Sequence, residues 1–136
     1  MRLALLSLAA LALTSTTWAD DKAADTRVFE LRTYYAAPGK LDALHARFRD
    51  HTCKLFEKHG MSNVGYWIPN GPDDGEPRLV YIIAHRSRDA AQASWKAFSS
   101  DPEWQAVRAA SEKDGSLLAR RPESVYLKPT DYSPLK

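Results

Sequence analysis

An α+β fold of order β-α-β-β-α-β, a four-stranded antiparallel sheet with both helices on one face, is predicted by three observations. Segments of alternating residues rich in aromatic and β-branched side chains open and close the body of the chain. Two stretches with apolar residues at helical spacing stand between them. A dense cluster of turn residues, Asn70-Gly-Pro-Asp-Asp-Gly-Glu-Pro77, joins the second and third strands into a hairpin. This is the split βαβ arrangement.

The first strand is Arg27-Val-Phe-Glu-Leu-Arg-Thr-Tyr-Tyr35, after a polar lead from Asp20 to Thr26. Pro38-Gly39 stops it. From Lys40 the residues Leu41, Leu44, Phe48, Thr52 and Leu55 recur at helical spacing until Gly60 ends one long helix. Ser62 to Pro69 reads as the second strand and Arg78 to Arg86 as the third. Asp89, with Gln92 three residues on, forms a capping box for a helix through Ser100. Asp101-Pro102-Glu103 then restarts the helix, which runs to about Gly115, because Asp suits the N-cap and Pro the first helical position. The last strand spans Ser124 to Lys128, so the domain is placed at residues 27–128, and residues 129–136 form a proline-rich tail that drapes or frays.

At the N-terminus a single charge, Arg2, precedes an apolar and small-residue run from Leu3 to Leu13, and Thr17 and Ala19 stand at the minus-three and minus-one places of a cleavage site. Residues 1–19 are therefore read as a signal peptide, with a periplasmic or secreted mature chain. The run is well short of the ~20 residues of a membrane-spanning helix, and no cysteine near the cut offers a lipid acceptor. Removing residues 1–19 leaves 117 of the 136 residues and takes away one basic side chain, so the formal charge falls from +2 to +1. That near-neutral balance, without a basic stripe, argues against nucleic acid or an anionic membrane as partner. Cys53 is the single cysteine, so no intramolecular disulfide can form, and its place deep in the long helix makes it a packing residue rather than a nucleophile.

Alternation divides each strand into two faces. The more aliphatic set, Phe29, Leu31, Val64, Tyr66, Ile68, Val80, Ile82, Ala84, Val125 and Leu127, is assigned to the helix side. Opposite it fall Val28, Glu30, Arg32, Tyr34, Asn63, Trp67, Leu79, Tyr81, Ile83, His85 and Tyr126. A face so rich in aromatics needs a cover, and two copies of the sheet packed through a two-fold axis would enclose these side chains in a barrel-like cavity.

Five pieces, Phe29-Glu-Leu-Arg-Thr-Tyr34, Pro38-Gly-Lys40, Glu57-Lys-His-Gly60, Val64-Gly-Tyr-Trp67 and Asp101-Pro-Glu-Trp104, together resemble the NIPSNAP family, in register from about Val28 to Tyr126. The resemblance implies the ferredoxin-like fold and the dimeric α/β-barrel also used by small monooxygenases, isomerases and some haem enzymes. Fold alone does not choose among those functions. The family's eukaryotic members are associated with mitochondria and vesicle traffic, a role that an exported single-domain version does not inherit.

Glu30, Arg32 and Tyr34 occupy one strand face at i, i+2 and i+4, placing an acid, a cation and a phenol side by side. Arg32 is the candidate anchor for a carboxylate, enolate or carbonyl oxygen, with Glu30 orienting it or serving as base. An intersubunit salt bridge explains the same residues equally well. His85 is the candidate general acid or base, and Tyr34, Asn63, Trp67, Tyr81 and Tyr126 are the candidate ligand-binding residues. His45, His51 and His59 lie six and eight residues apart, so they form no metal motif, although His51 is placed toward the sheet. Trp95, Phe98 and Trp104 follow helical spacing and read as core. No cofactor is assigned; a haem held by one histidine is left open.

Three functions follow from these residues. The first is a homodimer of undefined activity that encloses a small planar or apolar molecule outside the cytoplasm. The second is a cofactor-independent monooxygenase or isomerase acting on an aromatic or enolisable substrate through Arg32, Glu30 and His85. The third is a partner-binding module that uses the acidic 73–76 loop.

Overall fold

The computed structural model describes residues 27–71 and 75–136. The proposed signal peptide and Asp73 and Asp74 of the acidic loop lie outside the described residues. Strand β1 (Val28–Tyr35) is followed by helix α1 (Leu41–Arg47), a π-helical turn (Phe48–Thr52) and helix α2 (Cys53–Lys58). Strands β2 (Ser62–Trp67) and β3 (Arg78–His85), helices α3 (Arg88–Ser100) and α4 (Pro102–Ser111), and strand β4 (Glu123–Leu127) complete the chain. The sheet order is β2-β3-β1-β4 with every pair antiparallel, the ferredoxin-like arrangement that the element order predicts. Among the described residues no helix is long and apolar enough to cross a membrane.

Two expected elements differ in detail. The long helix is not uniformly α: Thr52 Oγ1 bonds the carbonyl of Arg47, five residues back, at 3.2 Å, and the wider π turn absorbs the extra residue. Leu44, Phe48, Thr52, Leu55 and Phe56 are all buried as a result. Helix α3 begins at Ser87 rather than Asp89, because the Ser87 hydroxyl accepts the Ala90 N–H at 3.1 Å; Asp89 and Gln92 are exposed and form no box. The α4 start is as expected. Asp101 is the N-cap, accepting from Glu103 N–H at 2.8 Å, with Pro102 behind it.

The assignment of the sheet faces is reversed for β1, β3 and β4. Leu79, Tyr81 and Ile83 pack with Leu44, Phe48, Leu55, Phe56 and Phe98 in the core beneath the helices. Glu30, Arg32 and Tyr34 share that face, because they pair across the strands with Ile83, Tyr81 and Leu79. Phe48 stands at the centre of the aromatic packing, with ring centroids 5.2 Å from Tyr81, 5.6 Å from Tyr34 and 5.8 Å from Tyr66. Aromatic side chains bury more area than aliphatic ones and dominate core energetics, which is why they prevail over the more uniform aliphatic set. That aliphatic set forms the open face: Val125 is 53% and Leu127 39% exposed, and Leu31, Val80 and Ile82 are half-buried. Phe29 is buried on this side, with the Arg27 guanidinium 5.1 Å over its ring and the C-terminal tail across a shared cavity. The polar and aromatic side chains are therefore enclosed by the chain's own helices, not by a second sheet.

A bulge in β2 explains why Tyr66 and Trp67 keep the sides assigned to them while the other strands are reversed. The pairing steps from Asn63↔Ile83 to Gly65↔Ile82, leaving Val64 unpaired, so every later residue of β2 changes face. Tyr66 turns under the helices and stacks on Tyr81 at 5.3 Å. Trp67 turns to the open face, where it is 52% exposed and its ring folds over Gly65. Ile68, expected in the core, is 53% exposed beyond the strand end.

Candidate functional site

Among the described residues, a buried polar cluster sits on the helix side of the sheet where β1, β3, β4 and α3 meet. Glu30, 1% exposed, is its centre. One carboxylate oxygen, Oε1, accepts from Arg32 Nη1 and from the Ser124 hydroxyl, each at 2.6 Å. The other, Oε2, accepts from the Trp95 indole at 2.7 Å and contacts His85 Nε2 at 2.8 Å. Burial works to raise the Glu30 pKa, but the bonds from His85, Ser124, Trp95 and Arg32 outweigh it and hold the group at about 2. Glu30 is thus a permanent anion near neutral pH.

Each partner arrives from a different element. Arg32 and Glu30 alternate along β1, Ser124 is the cross-strand neighbour of Arg32, and Tyr126 is that of Glu30. His85 comes from the end of β3, and Trp95 reaches down from α3. The Arg32 guanidinium lies 4.3 Å over the Trp95 ring and 5.5 Å from the Tyr34 ring, within cation–π range of both. Burial opposes its charge, yet Tyr34, Tyr81 and the Glu30 carboxylate raise its pKa above the ordinary value. Tyr126 closes the cluster from outside: its ring centroid is 6.1 Å from that of His85, and the Arg88 guanidinium covers it at 3.4 Å.

The structure therefore brings Glu30, Arg32, Tyr34, Tyr81, His85 and Tyr126 to one region. It does not bring Asn63 or Trp67 there. Asn63 Nδ2 donates to the Cys53 carbonyl and to Glu57, each at 3.0 Å, and Asn63 Oδ1 accepts from the Tyr66 hydroxyl, so it fastens β2 to α2. His51, expected toward the sheet, is exposed on the outer side of the π turn. Trp95, whose helical spacing reads as core, and Ser124, outside the candidate set, also belong to the cluster. Ser124 could have been found as the residue two before Tyr126 on the same face.

A second feature lies on the open face. Phe29, Ile82 and Leu127 of the sheet and Pro129, Thr130, Ser133 and Leu135 of the tail bound a cavity of about 310 Å³, with Lys128 at its wall. The tail holds its shape through Lys136 Nζ, which donates to the Thr130 carbonyl and, at 2.7 Å, to that of Asp131. Its volume is at the lower end of the ~300–1,000 Å³ typical of small-molecule sites. Among the described residues no group of three or more His, Cys, Asp or Glu side chains could hold a metal ion.

The NIPSNAP family profile matches residues 29–134. A NIPSNAP family protein of Agrobacterium tumefaciens is 22% identical, with a TM-score of 0.68 over 81% of this chain and 99% of that one. A second protein of that family from the same organism, described as of unknown function, is 25% identical, with a TM-score of 0.68 over 83% of this chain and 96% of that one. A putative antibiotic biosynthesis monooxygenase of Caulobacter crescentus is 18% identical, with a TM-score of 0.53 over 79% and 92% of the two chains, which is a likeness of fold. No curated protein matches the chain.

Proposed function

Because the chain belongs to the NIPSNAP family, we propose that it works as an exported, non-catalytic homodimer in which two open sheet faces pack together and a small apolar molecule is held beside the C-terminal tail. One observation carries this reading: Val125 and Leu127 stand exposed beside the half-buried Leu31, Val80 and Ile82 on a sheet face that no helix covers. A contiguous apolar face on an exported domain marks an interface, and a two-fold axis lets one surface cover its own copy. Export is supported by Arg2, the apolar run after it, and the small residues at Thr17 and Ala19.

The monooxygenase or isomerase alternative needs an accessible base, and the cluster offers none. Glu30 is held ionised by four partners, and His85 is 1% exposed with its Nε2 committed to Glu30. These constraints favour binding over turnover.

Native mass spectrometry of the secreted protein tests the proposal. The expected species is a dimer of chains beginning at Asp20, and Val125→Glu, at a position exposed enough to leave the protomer folded, is expected to yield monomers. A wild-type monomer at micromolar concentration would overturn the dimer; a chain retaining residues 1–19 would overturn export.

A further inference from the structure

Two buried polar atoms on the helix side of the sheet, Arg32 Nε and the Tyr81 hydroxyl, make no hydrogen bond of normal geometry, although the Tyr34 phenol stands near enough to Tyr81 to interact with it. Their residues are direct cross-strand neighbours, Arg32↔Tyr81. Buried donors are rarely left unpaired, and each exception calls for a physical reason. Glu30 cannot supply the missing acceptor, because Arg32 Nη1, Ser124, Trp95 and His85 already occupy its two oxygens. The guanidinium is a planar fork of five donors, and it is held rigidly: Glu30 fixes one arm, and the Trp95 and Tyr34 rings fix its plane. The Arg32 side chain keeps 16% of its surface exposed, so part of it reaches solvent although Nε itself is buried and Nη1 is paired with Glu30.

We propose that Arg32 is the receptor of a small-anion site, in which the Nε edge of the guanidinium and the Tyr81 hydroxyl take the oxygens of a planar carboxylate or enolate entering between Tyr34 and Trp95. A preorganised guanidinium loses little freedom on binding and matches a carboxylate through two parallel hydrogen bonds. The flanking aromatic rings favour a flat ligand over a tetrahedral oxyanion such as sulfate. Glu30 and Ser124 act as positioning residues: they aim Arg32 without contacting the ligand. The site lies on the opposite side of the sheet from the open face, so it stands or falls independently of dimer formation.

Calorimetric titration of the mature protein with benzoate, paired with NMR observation of the Arg32 Nε–H resonance, tests the site. Benzoate is expected to bind and to shift that resonance, and sulfate to bind more weakly. Arg32→Lys, which keeps the charge and loses the fork, is expected to weaken benzoate about tenfold or more, as the loss of one charge-assisted bond implies. Tyr81→Phe is expected to weaken it several-fold while leaving the fold intact, and it decides the matter if Arg32→Lys does not fold. Absence of binding, an unmoved Nε–H resonance, or equal affinity in the variants would overturn the proposal and leave ordered water as the partner of both atoms.

Discussion

Glu30 shows how one side chain can organise a region. A carboxylate with four partners in a dry setting is stabilised only while it is charged and every partner is present, and breaking such a group is far more costly than its net worth suggests. Its folded pKa of about 2 lies below the ordinary 4.5, so the stability it contributes is fully present above about pH 4.5 and is lost as pH falls toward 2. Glu30→Gln is expected to destabilise the protein by about 3 kcal/mol at pH 6 and to flatten the dependence on pH between 5 and 2. Urea unfolding across that range checks it; parallel curves for the two proteins would show that Glu30 is not the titrating group. Strand alternation alone placed Glu30, Arg32 and Tyr34 together, and the same logic added His85 and Tyr126. Trp95 escaped it because contact between a helix and a sheet obeys no short-range period.

At the scale of elements, the strands and helices were legible and their facing was not. The rule that the more aliphatic face lies inward fails here for an identifiable reason. Glu30, Arg32 and His85 look unburiable one at a time, but they satisfy one another, and Tyr34, Tyr66 and Tyr81 supply the bulk beneath α1 and α2. A bulge at Val64 adds a phase change within β2, so Tyr66 lies under the helices and Trp67 on the open face, the sides assigned to them, while the other strands are reversed. Caps are similarly local: two polar residues, Ser87 and Asp89, compete to start α3, and only the bond geometry separates them. Ser87→Ala is expected to cost about 1 kcal/mol through the lost bond to Ala90 N–H, whereas Asp89→Ala removes no cap and should cost clearly less. Thermal unfolding of the two variants discriminates: a larger loss for Asp89→Ala would restore the capping box.

Across the whole molecule, sequence pieces far apart converge on a few joints. Lys58 and His59 both reach Asp101 at 2.7 Å, tying the end of α2 to the cap of α4, and Trp104 packs on Phe98 at 4.5 Å. These contacts explain why Glu57-Lys-His-Gly60 and Asp101-Pro-Glu-Trp104 go together: each makes half of one joint. The tail plays the corresponding part on the open face. Pro129 and Leu135 wall the 310 Å³ cavity against Phe29, Ile82 and Leu127, while Leu31, Val80 and Val125 lie outside that lining. Removal of residues 129–136 is therefore expected to leave the dimer intact and to impair ligand retention. Decanoate, with an apolar chain for the cavity and a carboxylate for Lys128, is a suitable probe. If two methylenes lose their cover at about 0.8 kcal/mol each, affinity drops about tenfold. Calorimetric titration of full-length and truncated protein, with mass measured in parallel, reads both effects. Unchanged affinity would place the ligand elsewhere, and a truncated monomer would mean that the tail belongs to the interface itself.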